Sequence, residues 1–150
     1  MHLLHINRAC PEGVILGKLK PEHTTLVAAY WYPNAKEEPK TLRYFESMIR
    51  NYHSVAAYRT DDPTKPIGWM MQYPNGHLAH GYVFKEFRRR GLSELITREI
   101  FKLIIGDGVL PETSISPDNP VRQLAWRLGM VELCQQKTLK LSYINSRVTH

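Results

Sequence analysis

Three short apolar segments, separated by strong turn signals and followed by a helical pattern, constrain the fold of this sequence most. Residues 54–60, 67–73 and 77–83 carry the β-branched and aromatic residues typical of strands. Residues 61–63 (Asp-Asp-Pro) stop the first segment, and residues 74–76 (Pro-Asn-Gly) stop the second. Asn-Gly favours a tight turn because both residues accept positive φ. The pattern predicts an antiparallel meander of three strands.

The periodicity changes after residue 83. Apolar residues then recur at helical spacing up to Gly106: Leu92, Leu95, Ile96, Ile100, Leu103 and Ile104. Further strands are predicted at residues 13–20, 112–116, 131–134 and 137–143, and further helices at residues 21–31, 40–52 and 119–128. The order β-α-α-β-β-β-α-β-α-β-β predicts an α+β (mixed α/β) fold, with a mostly antiparallel sheet of about seven strands and helices on both faces.

Composition is that of one soluble globular domain spanning residues 1–150, with its core at about residues 13–144. The chain is 43% hydrophobic and 23% charged, and no apolar run approaches the ~20 residues of a membrane span. We therefore expect no membrane partner. Two cysteines, Cys10 and Cys134, provide neither a disulfide framework nor a CxxC metal pair. An intracellular location, in the cytoplasm or mitochondria, and no metal are expected.

The charge indicates an anionic partner, and its placement indicates where that partner binds. The net charge is +6, and the densest basic cluster, residues 85–90, directly precedes Gly91. A helix N-terminus exposes unpaired N–H groups, glycine permits close approach of an anion, and arginine adds charge-assisted hydrogen bonds. The segment predicts a diphosphate site. The alternative is an ordinary glycine turn beside solvated arginines.

The run Arg88-x-x-Gly91-x-Ser93 resembles the [RQ]-x-x-G-x-[GA] acyl-CoA loop of the GNAT acyltransferase superfamily, with serine at the last position. Asn119, and residues 124–130 (Leu-Ala-Trp-Arg-Leu-Gly-Met), resemble the strand-to-helix asparagine and the A-L-Y-x-x-x-G-F segment of that superfamily. The order of elements matches over about residues 13–143. The resemblance implies a GNAT fold and acetyl-CoA or another acyl-CoA as co-substrate.

A narrower similarity links the chain to the C-terminal domain of glycine N-acyltransferases. It rests on residues 19–27, Trp31, residues 43–46, residues 66–69 (Pro-Ile-Gly-Trp) and residues 86–92 (Glu-Phe-Arg-Arg-Arg-Gly-Leu). Members of that family carry an additional N-terminal domain. The resemblance implies N-acyl transfer from coenzyme A to a small amine or amino acid such as glycine.

The resemblance also implies which residues form the site. It places the thioester carbonyl near the backbone N–H groups of the strand that ends at residue 83, and the diphosphate at the following loop. The residues that it assigns to acyl-CoA binding are Tyr82, Val83, Arg88, Arg89, Arg90, Gly91, Leu92, Ser93, Asn119 and Trp126. Trp126 stands where many GNAT enzymes have a tyrosine acid, so we expect it to pack against the cofactor or the core.

Glycine N-acyltransferases have a catalytic glutamate directly after the turn glycine, and His77 occupies that position here. Histidine, with an unperturbed pKa of about 6.5, is a competent base near neutral pH. The alternative is a half-exposed histidine at the start of a strand. His80, Glu86 and Glu99 are secondary candidates for the base.

Two other functions compete with catalysis. The departures at His77, Ser93 and Trp126 would also suit a GNAT-like module that binds acyl-CoA without turnover. The basic charge would suit a nucleic-acid binder, but the other basic residues are scattered and no aromatic stacking pattern accompanies them. We therefore expect no nucleic-acid partner.

Overall fold

An antiparallel sheet with the strand order β1-β2-β3-β4 organises the computed structural model, which describes residues 10–133. The strands are β1 (Val14–Gly17), β2 (Ser54–Arg59), β3 (Asp62–Gln72) and β4 (Leu78–Val83). The α-helices are α1 (Thr24–Ala29), α2 (Pro39–Asn51), α3 (Leu92–Gly106) and α4 (Val121–Arg127). Strands β2, β3 and β4 pair in sequence order, so the predicted meander is confirmed.

Helices cover both faces of the sheet. Successive side chains along a strand point to opposite faces. A Cβ atom at Gly68 would lie 3.3 Å from Ile96 of α3, whereas the ring of the next residue, Trp69, lies 6.0 Å from the ring of Tyr30, which follows α1. Helix α3 therefore covers one face, and the region of α1 covers the other.

Helix α2 begins and packs as its sequence predicts. Pro39 occupies its first turn, where a missing N–H costs nothing. Thr41 donates its hydroxyl to the carboxylate of Glu38 at 2.8 Å, directly before the helix. Phe45, Met48 and Ile49 lie three and four residues apart and are buried.

Helix α3 has the predicted bounds, and its apolar face differs at one position. Most of the predicted residues are buried: Leu92, Leu95, Ile96, Ile100 and Ile104. Leu103, however, is 42% exposed, and Phe101 is buried instead. Leu103 shares one side of the helix with Glu99, four residues earlier, and that side lies at the rim of the core.

Strand β3 is longer than predicted, because residues 61–63 do not stop it. Arg59 pairs with Asp62, so two residues suffice to connect β2 to β3. Pro63 and Pro66 cannot donate to a neighbouring strand, and the register shifts around Tyr58 accommodate them.

The prediction of about seven strands is wrong for the described residues, which contain four. In the predicted strand at residues 112–116, Glu112 alone forms a bridge, which is parallel and joins it to His77. Residues 131–133 form no strand, and residues 134 and 137–143 lie outside the described part. No helix within residues 10–133 is long and apolar enough to cross a bilayer.

Candidate functional site

The outer edge of β4 presents backbone groups that β3 does not use. Phe84 donates its N–H to the carbonyl of Ile67 at 2.9 Å, and Val83 lies opposite Gly68. Hydrogen-bonded and non-hydrogen-bonded pairs alternate along an antiparallel ladder. The N–H and C=O of Val83 therefore point away from β3. The N–H of Tyr82 points towards β3, so of the two predicted donors Val83 is the one at the outer edge.

A β-bulge lies just before these residues. Trp69 pairs with Tyr82 and Met71 pairs with Ala79, so Met70 alone stands opposite His80 and Gly81. His80 has a φ of 55°, in the left-handed region that few residues other than glycine adopt. A bulge bends the strand and ends regular pairing.

A gap opens between β4 and the segment that follows α3. The two meet at the His77–Glu112 bridge, where Leu78 donates its N–H to the carbonyl of Glu112 at 2.8 Å. Thr113 donates its hydroxyl to the carbonyl of Leu78 at 3.2 Å. Beyond that point, the described residues contain no strand paired to the outer edge of β4. Among the described residues, the outer edge of residues 79–83 is therefore unpaired, and we refer to the space beside this edge as the cleft.

The cleft leads to the loop between β4 and α3. Gly91, with a φ of 76°, precedes the helix, and its carbonyl accepts the N–H of Leu95 at 3.0 Å. The N–H groups of Leu92 and Ser93 therefore lie before the first bond within the helix and are available to an anion. The side chain of Leu92 is buried, so only its backbone can contribute.

Three exposed arginines surround this helix start. Arg88 donates Nε–H to the carbonyl of Val83 at 2.8 Å, and its guanidinium lies 5.3 Å from the ring of Tyr82. Arg90 lies 5.7 Å from the ring of Phe87, and Arg89 has a φ of 60°. Within residues 10–133 none of the three forms an ion pair, so their charge remains available to a ligand.

His77 lies at the other end of the cleft and contacts a carboxylate. Its Nε2 lies 3.1 Å from Oε2 of Glu112, and the two side chains are 34% and 57% exposed. The N–H of His77 donates to Oδ1 of Asn75 at 3.1 Å. Sequence reasoning missed Glu112, although it begins the segment predicted to follow α3.

His80 has a different environment on the same strand. Its ring centroid lies 4.8–5.1 Å from those of Trp31, Phe45 and Tyr73. Nε2 is buried without a hydrogen-bond partner among the described residues. Burial lowers the pKa of His80 to about 4, so its imidazole is neutral near pH 7.

Comparison with known proteins identifies the family of the chain. The sequence matches the FR47-like protein family over residues 54–138, more than half of the chain. The chain belongs to the FR47-like family. The match covers β2, β3, β4 and α3, which together carry the bulge, the cleft and the arginine loop. A search of curated proteins finds no match to the sequence of this FR47-like chain.

The solved structures that this FR47-like chain resembles have the GNAT fold. A Drosophila protein has a TM-score of 0.72 and 23% identity, over 81% of this chain and 40% of the other. The aminoglycoside acetyltransferase AAC(6')-Iy, solved with a CoA-containing bisubstrate analogue, has a TM-score of 0.65 and 17% identity, over 87% of this chain and 99% of the other. A GCN5-related N-acetyltransferase from Ralstonia eutropha has a TM-score of 0.61 and 13% identity, over 85% of this chain and 99% of the other. The chain thus spans two fifths of the length of the Drosophila protein.

The other predicted site residues of the FR47-like chain have the following environments. Oδ1 of Asn119 accepts the N–H of Val121, the first residue of α4, at 3.0 Å. Trp126 is 54% exposed, and the guanidinium of Arg122 lies 5.1 Å from its ring, so Trp126 does not pack into the core of the described residues, and packing against the cofactor stays a prediction. Glu86 is exposed on the 3-10 helix Lys85–Phe87. Glu99 pairs with Lys102 at 2.6 Å on α3.

No group of residues suited to hold a metal ion occurs within residues 10–133.

Proposed function

We propose that this chain is an acyl-CoA-dependent N-acyltransferase, which moves an acyl group from coenzyme A to the amine of a small acceptor such as glycine. The observation that carries the proposal is the outer edge of β4, which is unpaired among the described residues and lies between His77 and the helix start at Gly91. The structure of AAC(6')-Iy with a CoA-containing analogue supports it. Glycine as acceptor is supported by the resemblance to glycine N-acyltransferases alone.

The residues present suit the two ends of an acyl-CoA. The N–H groups of Leu92 and Ser93, with Arg88, Arg89 and Arg90 beside them, would bind the diphosphate. The N–H of Val83 would bind the thioester carbonyl at the free edge of β4, where a pantetheine arm can lie as an added strand. Ser93 is small enough to leave the helix start open, so its departure from glycine or alanine costs little space.

The proposed reaction is direct attack on the thioester. The amine nitrogen bonds to the carbonyl carbon, and its proton passes to His77. The oxyanion that develops is stabilised by the N–H of Val83. The C–S bond then breaks and coenzyme A leaves as a thiolate. Simple thiols have a pKa of about 8.5, so the leaving group has little need of an acid in the place of Trp126.

The two histidines of β4 differ in their suitability as the base. Burial lowers the pKa of His80 to about 4. Its imidazole is therefore too weak a base to take the proton of the amine efficiently near pH 7. His77 is half-exposed, and its Nε2 contacts a carboxylate. This contrast favours His77 as the base.

Replacement of His77 tests its role. We expect His77→Gln to reduce turnover at least about tenfold near pH 7, and less at high pH, where the amine is already neutral. The chain offers a matched control in His53, which is 32% exposed and lies 2.5 Å from Asp107. Thiol release is measured with a panel of acyl-CoAs, with glycine and other amines. A similar loss in His53→Gln, or an unchanged pH profile in His77→Gln, would contradict the assignment.

Replacement of Arg88 tests the diphosphate site. We expect Arg88→Ala to weaken acyl-CoA binding about tenfold, because a charge-assisted hydrogen bond contributes roughly 1.5–3 kcal/mol. Arg50→Ala is the control, since this exposed arginine pairs with Glu46 on α2. Calorimetry measures both affinities. Equal affinities would remove Arg88 from the site, and wild-type binding without turnover would favour the catalytically silent module.

A further inference from the structure

We propose that Glu112 is a positioning residue for His77: its carboxylate holds the proton of the neutral imidazole on Nε2 and leaves Nδ1 to accept the proton of the amine. This inference rests on the proposed N-acyltransferase activity. It adds a residue to the site that neither the family match nor the structural neighbours assign.

The hydrogen-bond chemistry of the pair decides the tautomer. A carboxylate accepts hydrogen bonds and does not donate them. Nε2 of His77 lies 3.1 Å from Oε2 of Glu112, so this contact is favourable only when Nε2 carries the proton. The other tautomer would set two acceptor atoms against each other. Neutral His77 therefore has its free lone pair on Nδ1.

The backbone on both sides of the pair is fixed. His77 donates its N–H to Asn75 and accepts the N–H of Tyr73 with its carbonyl, at 3.1 and 2.7 Å. On the other side, the carbonyl of Glu112 accepts the N–H of Leu78 at 2.8 Å. A catalytic group gains most from its supporting residue when both are held in one geometry.

Charge is the second contribution of Glu112. When His77 takes the proton of the amine, its positive charge develops 3.1 Å from the carboxylate of Glu112, and the two opposite charges attract. The charged side chain in contact with His77 is that of Glu112, from the segment after α3. On its own strand the next titratable group is His80, whose ring faces Trp31, Phe45 and Tyr73. Because the pair is partly exposed, water screens it, and the contribution is modest.

The test replaces the carboxylate by an amide of the same size. We expect Glu112→Gln to lower kcat about threefold to tenfold near neutral pH and to leave the KM for acyl-CoA unchanged, since Glu112 is remote from the arginine loop. Asp107→Asn is the matched control: it removes the carboxylate paired with His53, and Asp107 is 59% exposed, against 57% for Glu112.

Failure of this inference can be distinguished from failure of the proposed function. If the wild type releases thiol and His77→Gln loses activity, but Glu112→Gln has the wild-type kcat, Glu112 has no positioning role. If the wild type releases no thiol with any acyl-CoA and amine, the proposed function fails. NMR then still decides the tautomer: the nitrogen signals of the neutral His77 ring should show its proton on Nε2 in the wild type and in Asp107→Asn. A proton on Nδ1 overturns the inference.

Discussion

At the scale of single residues, His77 and His80 lie on one strand and differ in what surrounds their rings. A carboxylate contacts His77, which is half-exposed. Aromatic rings surround His80, and its Nε2 has no partner among the described residues. A buried polar atom without a partner costs free energy. His80 also has a φ of 55°, a backbone conformation that is strained for a histidine. Both unfavourable features, the ring nitrogen and the backbone angle, therefore occur in one residue beside the proposed reaction centre.

Acid should destabilise the protein through His80. Its pKa of about 4 in the folded state lies below the ordinary 6.5, so the unfolded chain binds a proton that the folded chain does not as pH falls between these values. After a discount for partial exposure, we expect a loss of about 1 kcal/mol in the free energy of unfolding between about pH 7 and pH 5. Denaturant titration of wild type and His80→Asn checks this, since asparagine tolerates positive φ. Equal losses in both proteins would exclude His80 as the cause.

Among single residues, the sequence predicted the positions of those that lie close together along the chain, whereas their binding roles stay predictions. Arg88, Gly91 and Ser93 lie within one loop and the first turn of a helix, so a local pattern suffices to place them. The pairing of His77 with Glu112 joins residues 35 positions apart. It depends on the register between β4 and the segment after α3, which no local pattern contains. The environment of His80 likewise requires three distant aromatic residues.

At the scale of elements, the contact between β3, β4 and α3 depends on one small residue. A Cβ atom at Gly68 would lie 3.0 Å from Cγ2 of Val83, 3.1 Å from the carbonyl oxygen of Tyr82 and 3.3 Å from Cδ1 of Ile96. Glycine at this position therefore lets α3 pack closely on the two strands that border the cleft. This is a structural reason for the glycine in the Pro-Ile-Gly-Trp segment.

We expect Gly68→Ala to destabilise the protein by about 1–3 kcal/mol, because backbone and branched side chains must move to admit the methyl group. Gly106→Ala provides the control. No heavy atom lies within 4 Å of a Cβ atom there, and alanine favours the helix, so this change should be neutral or stabilising. Denaturant unfolding measures both. If Gly68→Ala unfolds at the wild-type midpoint, the packing argument is wrong.

Helices with a clear apolar periodicity were predicted well, whereas strands whose extent depends on pairing with another strand were not. The bounds of α3 follow from its apolar spacing and from the glycines at its two ends. Residues 112–116 have the composition of a strand but pair at Glu112 alone, because the bulge at His80 and Gly81 bends β4 away. A proline such as Pro63 usually ends a strand, yet β3 includes it, at a point where the register between β2 and β3 is irregular.

At the scale of the whole molecule, the net charge of +6 is spread along the chain, and its densest basic cluster is residues 85–90. Some basic side chains of the described residues contact carboxylates, among them Arg50, Arg59, Lys102 and Arg122. The arginines of residues 88–90 form no ion pair with the described residues. A dense group of positive charges therefore lies at the start of α3.

This distribution predicts selective binding of coenzyme A over other anions. Free coenzyme A at about a hundredfold excess over its Kd should stabilise the fold by about 2.7 kcal/mol. Pantetheine, which lacks the diphosphate, should have little effect. The Kd should rise with salt, since guanidinium–phosphate contacts are screened. Thermal unfolding with coenzyme A, pantetheine or duplex DNA, at low and high salt, measures these effects. Stabilisation by DNA with a steep salt dependence, and none by coenzyme A, would favour the nucleic-acid binder. Equal stabilisation by coenzyme A and pantetheine would show that the arginine loop does not bind the diphosphate.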